Sequence, residues 1–232
     1  NTWYVPNNMA LILVGDFDIE ATKPLIEKTF GKLQARPLPE RTKYPTTAFA
    51  QDERYSAKLG YMPELYIAYN GVPVGDKDEL LLDFLGEILS NSMQIGLLDE
   101  LTLDNKLMYA GAANDVRRDQ GRFLVIAVPY MDAETQTYTS LKETEKLVNE
   151  AIQQLVSGNI SEELVEAVRQ NFYQEFDRTM EYPEMKVQLL QNAFTYQQSI
   201  EEMLQLKAQV AAITMDDLKN AAKKYLGAPK KV

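Results

Sequence analysis

The sequence contains no cysteine and no histidine among its 232 residues. Without cysteine the chain can form neither a disulfide framework nor a thiolate nucleophile. The absence of cysteine does not indicate whether the protein resides in an oxidising or a reducing compartment. Without histidine it lacks the imidazole that acts as base in Ser-His-Asp and Cys-His sites and as ligand in histidine-zinc sites. Any chemistry performed by this chain must therefore use carboxylates, lysine or tyrosine.

Basic residues and long apolar runs are also scarce. Lys and Arg number 24 against 34 Asp and Glu, a formal net charge of -10. This excess of acid argues against a nucleic-acid partner, because phosphate binding depends on basic side chains. The longest apolar runs, "LILV" and "FLVIAV", are as long as a strand and too short to span a bilayer. We therefore expect no nucleic-acid partner and no membrane span.

The first part of the chain predicts one strand, one helix and a linker. Residues 9–15 form a continuous apolar run typical of a buried strand. Asp18 is placed to cap a helix over residues 19–30, and Gly31 to close it. The following residues are rich in proline and polar side chains without clear periodicity, which indicates a linker. The opening "NTWYVPNNM" begins without Met and reads as the interior of a longer protein.

The remainder predicts a few strands followed by many helices. A strand over residues 64–72 precedes a helix with an Asp76-x-x-Glu79 capping pattern, and residues 107–130 read as two strands joined at "RRDQG". From about residue 134 the pattern is helical, with a second capping pattern at Thr214-x-x-Asp217. This order predicts an α+β fold, with helices packed on one face of a mostly antiparallel sheet.

The acidic residues near the start invite a metal interpretation. Four of them occupy positions 1, 3, 5 and 12 of a calcium-loop template: Asp16, Asp18, Glu20 and Glu27. The template needs glycine at its sixth position, where this chain has Ala21, and the predicted helix cannot wrap a cation as a loop. Helix capping by Asp18 is therefore the favoured interpretation.

Three other clusters have a functional and a structural interpretation. Asp99–Glu100 and Asp216–Asp217 resemble acid–base pairs, but neighbouring residues point to different sides of a helix, which favours solvated helix faces. Arginines 117, 118 and 122 flank the predicted hairpin turn. They fit either an acidic ligand or the more common role of charges that discourage edge pairing.

Taken together, these segments resemble the pitrilysin/insulinase family of zinc metallopeptidases. "WYVPNNMALILVGDFDIEATKPLIEKTFGKL" is similar to the strand and helix that close the first domain in each half of that family. "YIAYNGVPVGDKDELLLDFLGEIL" resembles the strand and helix that open the next domain, and "ITMDDLKNAAKKYLG" its closing helix. The order and spacing of these segments carry the resemblance, which extends over nearly the whole chain.

The resemblance implies an insulinase-like α+β domain from a larger peptidase. In the family, two halves enclose a chamber where zinc-activated water cleaves an unstructured peptide, and an inverted His-x-x-Glu-His motif supplies two zinc ligands. That motif would lie upstream of this chain, which has no histidine. The resemblance thus implies no cofactor in this chain, zinc in the parent protein, no cleavage by the chain alone, and the other parent domains and a peptide substrate as partners.

One pair of family residues can be compared by position. In the family, the half that faces the zinc carries an Arg and a Tyr seven residues apart at a helix-to-strand passage, where both reach the substrate and stabilise the oxyanion. When this passage is aligned with "ELTLDNKLMYAGA", Tyr109 takes the position of the family Tyr and Thr102 takes the position of the family Arg. Tyr109 is then either a substrate contact or a packing residue. The missing Arg fits a zinc-bearing half, which does not need the pair, or a degenerate structural half.

The resemblance also suggests domain limits and alternatives for function. Residues 1–35 would be the closing strand and helix of a truncated preceding domain. Residues 36–57 would be a linker, and residues 58–232 would form the next domain. We expect residues 9–15 to join the sheet of that second domain, in the same molecule or a neighbour.

For function we expect a non-catalytic wall of a peptidase chamber, with a scaffold or assembly subunit of the same fold as the alternative. An unrelated helical binding module would require the family match to be accidental. The family's bacterial members of this kind favour the periplasm or cell envelope over the cytoplasm.

Overall fold

The computed structural model describes residues 2–42 and 45–232. They form two compact units. Unit 1 comprises Asn1–Pro45 and Gln174–Leu206, and unit 2 comprises Thr46–Tyr173 and Lys207–Val232. The helices in chain order are α1 (Ile19–Phe30), α2 (Glu79–Leu89), α3 (Leu97–Leu103), α4 (Leu141–Ser157), α5 (Glu162–Glu181), α6 (Pro183–Tyr196), α7 (Ile200–Leu204), α8 (Leu206–Ala212) and α9 (Met215–Tyr225).

Unit 2 contains an antiparallel sheet. Its strands are β1 (Leu65–Asn70), β2 (Leu107–Asp115), β3 (Arg122–Pro129) and β4 (Lys230–Lys231), in the spatial order β2-β3-β1-β4. The β2–β3 hairpin turns through residues 116–121, where the sequence predicted it, and its register shifts between Leu107 and Tyr109. The predicted α+β fold with an antiparallel sheet is confirmed.

The core of unit 2 lies between one face of this sheet and a layer of helices. Helix α2 packs on β2, α4 packs on β3 and β1, and α9 lies against α2 and α4. Alternate residues of β1 and β3 point into this layer and are buried, because a strand directs successive side chains to opposite faces. These buried residues are Leu65, Ile67, Tyr69, Phe123, Val125 and Ala127.

Local hydrogen bonds set the ends of the helices in unit 2. The Ser140 hydroxyl accepts from the Glu143 N–H at 3.2 Å and begins α4, which ends at Gly158 in the left-handed region, with φ 76°. Thr214 and Asp217 form the predicted capping box of α9. The prediction that Asp76 is the N-cap of α2 is wrong, because Asp78 occupies that position. Helix α2 begins only at Glu79, whose carboxylate accepts from the Gly75 N–H at 2.5 Å.

Asp99 corrects the expectation of a solvated helix face. Its side chain is buried, and its carboxylate accepts from the Ser90 hydroxyl at 2.9 Å, the Asn91 N–H at 3.0 Å and the Gly96 N–H at 2.8 Å. It therefore joins the end of α2 to the start of α3. The neighbouring Glu100 is exposed, as expected.

In unit 1, α1 forms as predicted. The Asp18 carboxylate accepts from the Ala21 N–H at 2.9 Å and caps the helix. Residues 9–15, however, form no strand in this chain, so that prediction and their pairing within the same molecule are wrong. An isolated strand has no ladder to satisfy its backbone, and its apolar sequence alone cannot replace one. Pairing with a neighbouring molecule stays a prediction.

Part of the predicted linker lies along unit 2. The Phe49 N–H donates to the Asn70 side-chain oxygen at 2.9 Å, and Glu53 forms a parallel bridge with Lys231. Positions 43 and 44 of the linker lie outside the described residues. The predicted domain limits at residues 35 and 57 stay predictions.

The buried Asp99 predicts a specific loss of stability. Asp99→Ala leaves one hydroxyl and two N–H groups without their acceptor, and we expect the free energy of unfolding to fall by about 2–4 kcal/mol. Urea unfolding measures this loss. Glu100→Ala, next in sequence but exposed, is the matched control and should change stability by less than about 0.5 kcal/mol. Equal losses in the two variants would contradict the bridging role of Asp99.

Candidate functional site

The candidate substrate contact, Tyr109, lies on β2 at an edge of the sheet. Its side chain is 54% exposed, whereas the next residue, Ala110, is buried. Tyr109 therefore points away from the helix layer. Strand β2 pairs with β3 on one side, and no strand of the described residues pairs with its other side. The exposed tyrosine thus stands beside a length of backbone that is open to pairing.

Gly111 determines how Tyr109 lies on the strand. A Cβ added at Gly111 would stand 2.7 Å from the Tyr109 hydroxyl oxygen. The phenol ring therefore extends along the strand over the glycine, two residues away on the same face. The absence of a side chain at 111 gives the ring its space.

Thr102 lies on α3, which packs against β2. Its hydroxyl donates to the Leu98 carbonyl of its own helix at 3.4 Å. The Thr102 hydroxyl is thus hydrogen-bonded within its own helix. Unlike the family Arg, Thr102 carries no positive charge that could stabilise an oxyanion. The role of Tyr109 in substrate binding stays a prediction.

A row of carboxylates on α2 was missed by sequence reasoning. Glu79, Asp83 and Glu87 follow one another at intervals of four residues and share one side of the helix. Asp83 accepts from the Asn114 amide of β2 at 3.0 Å, and Glu87 accepts from the Asn171 amide of α5 at 3.0 Å. The sequence carried a signal, because Asp83 interrupts the apolar run "LLLDFLGEIL".

Burial raises the pKa of two carboxyls in this row. Desolvation raises the pKa of Asp83 to about 6, against the opposing effect of the Asn114 hydrogen bond, and desolvation also raises the pKa of Glu79. The side-chain oxygen of Asn114 is buried and accepts no hydrogen bond. Asp83 thus joins α2 to β2, and Glu87 joins α2 to α5. We interpret these contacts as structural, since they lie between packed elements.

Two arginines near the hairpin make different contacts within the chain. Arg117 forms an ion pair with Asp115 at 2.8 Å. The Arg122 guanidinium lies 4.7 Å from the centroid of the Phe49 ring and donates to the Thr47 carbonyl at 3.4 Å. Arg122 thus binds residues 47–49 to the start of β3, a role that the sequence did not indicate.

The residues do not fit a zinc site. The chain has no histidine or cysteine, and across residues 2–42 and 45–232 no three acidic side chains cluster as metal ligands would. Of the calcium-template residues, Asp18 caps α1, and Glu20 pairs with Lys23 at 3.1 Å. Over the same described ranges, no helix is both long and apolar enough to cross a membrane.

The fold and the edge strand define an α+β domain without a metal centre in its described part. The family model described as "Peptidase M16 inactive domain" matches residues 1–172. The chain belongs to this family, which confirms the resemblance found in the sequence. A comparison with curated protein sequences finds no match.

Solved structures share the fold at low sequence identity. A protease from Helicobacter pylori aligns with a TM-score of 0.80 and 18% identity, over 94% of this chain and 52% of that one. The first half of the periplasmic protease PqqL from Escherichia coli gives 0.74 and 18%, over 99% and 52%. A chain of complex III2 from Candida albicans gives 0.64 and 17%, over 91% and 50%. The chain thus spans about half the length of each of these solved chains.

The raised pKa of Asp83 predicts a pH effect on stability. Between its ordinary value of 3.8 and about 6, the folded chain binds more protons at this carboxyl than the unfolded chain does. The free energy of unfolding should therefore fall as pH rises through this window. Asp83→Asn removes the ionisation, so from about pH 5 to about pH 7.5 the variant should gain up to about 2 kcal/mol relative to the unsubstituted chain.

Urea unfolding of both proteins across this range measures the effect. Asp216→Asn, a substitution of an exposed aspartate, is the matched control and should follow the unsubstituted chain. Parallel stability curves for the Asp83→Asn variant and the unsubstituted chain would show that Asp83 does not titrate in this range.

Proposed function

We propose that this chain is a non-catalytic part of a zinc metallopeptidase and forms part of the wall of its substrate chamber. Membership of the Peptidase M16 inactive domain family is the observation that carries the proposal. The absence of histidine supports it, because a hydrolytic zinc site of this class needs imidazole ligands.

In this proposal the rest of the parent supplies the chemistry. An upstream His-x-x-Glu-His motif would hold the zinc, and the remaining parent domains would be the partners of this chain. The catalytic water and its base would then belong to another domain. This chain would contribute shape and backbone contacts to the bound peptide.

Strand β2 is the surface that we propose for those contacts. An extended peptide can pair with an open sheet edge through main-chain hydrogen bonds, and side chains along the edge then give selectivity. Met108 and Tyr109 are both exposed on β2, so they supply apolar contacts beside the open edge. Because main-chain hydrogen bonds do not depend on side chains, an unfolded peptide needs no particular sequence motif to pair with this edge.

We propose the periplasm or cell envelope as the compartment, supported by the likeness to the first half of periplasmic PqqL. The alternative function, a scaffold subunit, is supported by the likeness to a chain of complex III2. The parent gene discriminates between the two functions. An upstream intact His-x-x-Glu-His motif favours the peptidase, and a degraded motif favours the scaffold.

The first experiment incubates the chain with zinc and an unfolded protein such as reduced casein. We expect no cleavage, because no residue of the chain can replace the imidazole ligands. Mass spectrometry of the products measures the result. Cleavage that a chelator abolishes would overturn the proposal that this chain is non-catalytic.

The second experiment substitutes Tyr109 in the full-length parent. Tyr109→Ala should raise KM for an extended peptide about two- to tenfold and leave kcat nearly unchanged, because the contact is made equally in the ground and transition states. Tyr182→Ala is the matched control, since Tyr182 is 50% exposed against 54% for Tyr109. An unchanged KM for Tyr109→Ala would show that Tyr109 is a packing residue.

A further inference from the structure

The row of carboxylates on α2 (Glu79, Asp83 and Glu87, the carboxylate row) runs beside β2, the edge strand of the sheet. At one end, the Asn114 amide of β2 donates to the Glu79 carbonyl at 3.3 Å and to the Asp83 carboxylate at 3.0 Å. Further along α2, a Cβ added at Gly86 would stand 3.8 Å from a carbonyl oxygen of β2. Helix α2 therefore lies over β2 and follows it along the strand.

The carboxylate row lies on the side of α2 that faces away from the centre of the sheet. Successive residues turn by about 100° around a helix, so Asp83 and Leu85 lie on opposite sides of Gly86, which packs on β2. Leu85 is fully buried, whereas all three carboxylates of the row are partly exposed. Strand β3 lies on the inner side of β2, so we place the partly exposed row above the open edge.

Two members of the carboxylate row have no cationic partner among the described residues. Within residues 2–42 and 45–232, Glu79 and Asp83 form no ion pair. A carboxylate can accept about four hydrogen bonds, and Asp83 accepts one from Asn114. The side-chain oxygen of Asn114 is itself buried and accepts no hydrogen bond. The row thus offers acceptors and negative charge, and a basic side chain would supply the donors.

The spacing of the carboxylate row matches that of an extended peptide. Residues four apart on a helix are separated by about 6 Å along its axis. Side chains on one face of a strand are two residues apart, which is about 6.6 Å. Asn114 and Asn171 hold Asp83 and Glu87 in place through hydrogen bonds of 3.0 Å each. A peptide paired with β2 would therefore bring one side chain after another against successive members of the row.

The two faces of such a peptide would meet different surroundings. Alternate residues of β2, among them Ala110 and Asn114, point to the helix layer. Alternate side chains of an added strand would point the same way, toward the carboxylate row, and the others would lie beside Tyr109 on the outer face. Arginine suits the helix-side positions, because its guanidinium is weakly hydrated and donates to carboxylates in pairs.

We propose that the β2 edge selects extended peptides with basic side chains, arginine above all, at alternate positions, through the carboxylate row. The inference rests on the proposed role of β2 in peptide binding and adds the chemistry of the peptide. Backbone hydrogen bonds to β2 would hold the peptide, and the row would distinguish basic from neutral or acidic side chains. The net charge of -10 favours the same class of peptide at longer range.

Fluorescence anisotropy of the chain with labelled peptides tests the selection. One peptide alternates Thr and Arg, a second carries Gln in place of each Arg, and a third carries Glu. We expect the Thr-Arg peptide to bind about tenfold or more tightly than the Thr-Gln peptide, because charge-assisted hydrogen bonds replace neutral ones. The Thr-Glu peptide should bind more weakly than either.

Charge removal in the chain shows whether the carboxylate row is responsible. Glu79→Gln combined with Asp83→Asn removes two charges and keeps oxygens that accept hydrogen bonds. This double variant should bind the Thr-Arg peptide about tenfold more weakly and the Thr-Gln peptide as before. Glu181→Gln combined with Glu184→Gln, two exposed residues, is the matched control and should stay within about twofold of the unsubstituted chain. Equal losses in the two double variants would overturn the proposal.

Peptides methylated on backbone nitrogens test the pairing with β2. An extended peptide directs the N–H groups of alternate residues to one side, so only one set faces the strand. We expect methylation of one set, either the Thr or the Arg nitrogens, to abolish binding and methylation of the other set to be tolerated. If both methylated peptides bind like the unmethylated one, the carboxylate row binds cations without strand pairing, and the proposal fails.

The outcomes separate this inference from the proposed function. If the Thr-Arg and Thr-Gln peptides bind equally and both lose binding on methylation, β2 is a peptide-binding edge and selection by the carboxylate row is wrong. If none of the peptides binds, the proposed peptide contact of β2 fails and the selection fails with it.

Discussion

The fold of unit 2 depends on burying one face of a small antiparallel sheet. Alternate residues of β1 and β3, from Leu65 to Tyr69 and from Phe123 to Ala127, lie under α2 and α4. Each buried aliphatic or aromatic side chain contributes about 1.5–3 kcal/mol of transfer free energy. In the part of unit 2 that the structure describes, the helices cover one face of the sheet, so the edges and the opposite face are left for other contacts. Tyr109 stands on that opposite face.

Polar groups within this packed layer fix the positions of its elements. Asp99 joins the ends of α2 and α3, and the Asp83–Asn114 pair joins α2 to β2. Near the start of α2, Asp78 accepts from the Lys224 ammonium at 2.6 Å and from the Tyr225 hydroxyl at 2.7 Å, and these hydrogen bonds lower the pKa of Asp78. These acids hold the packed elements of unit 2 together.

Much of the fold followed from local patterns, and the failures concern long-range partners. The cap at Asp18, the capping box at Thr214 and the hairpin at residues 116–121 are encoded within a few residues. Residues 9–15 were wrongly predicted as a strand, because a strand exists only with a partner. Asp99 was misread for a similar reason, since its partners lie up to nine residues away.

The candidate site was less predictable than the fold. Tyr109 was selected because its segment resembles the helix-to-strand passage of the family. Its exposure, its place on an edge strand and the space left by Gly111 depend on the sheet and could not be read from the sequence. The carboxyl of Asp83 acquires its raised pKa only when α2 packs on β2. Side chains whose role depends on what packs against them carry little signal in a single sequence.

The chain belongs to the Peptidase M16 inactive domain family and has no histidine or cysteine to bind zinc. Equilibrium dialysis against zinc, followed by metal analysis, compares the chain with the peptidase that we propose as its parent. We expect about one tightly held zinc per parent molecule and none held by the chain alone. Stoichiometric zinc on the chain, or a parent that holds none, would contradict this expectation.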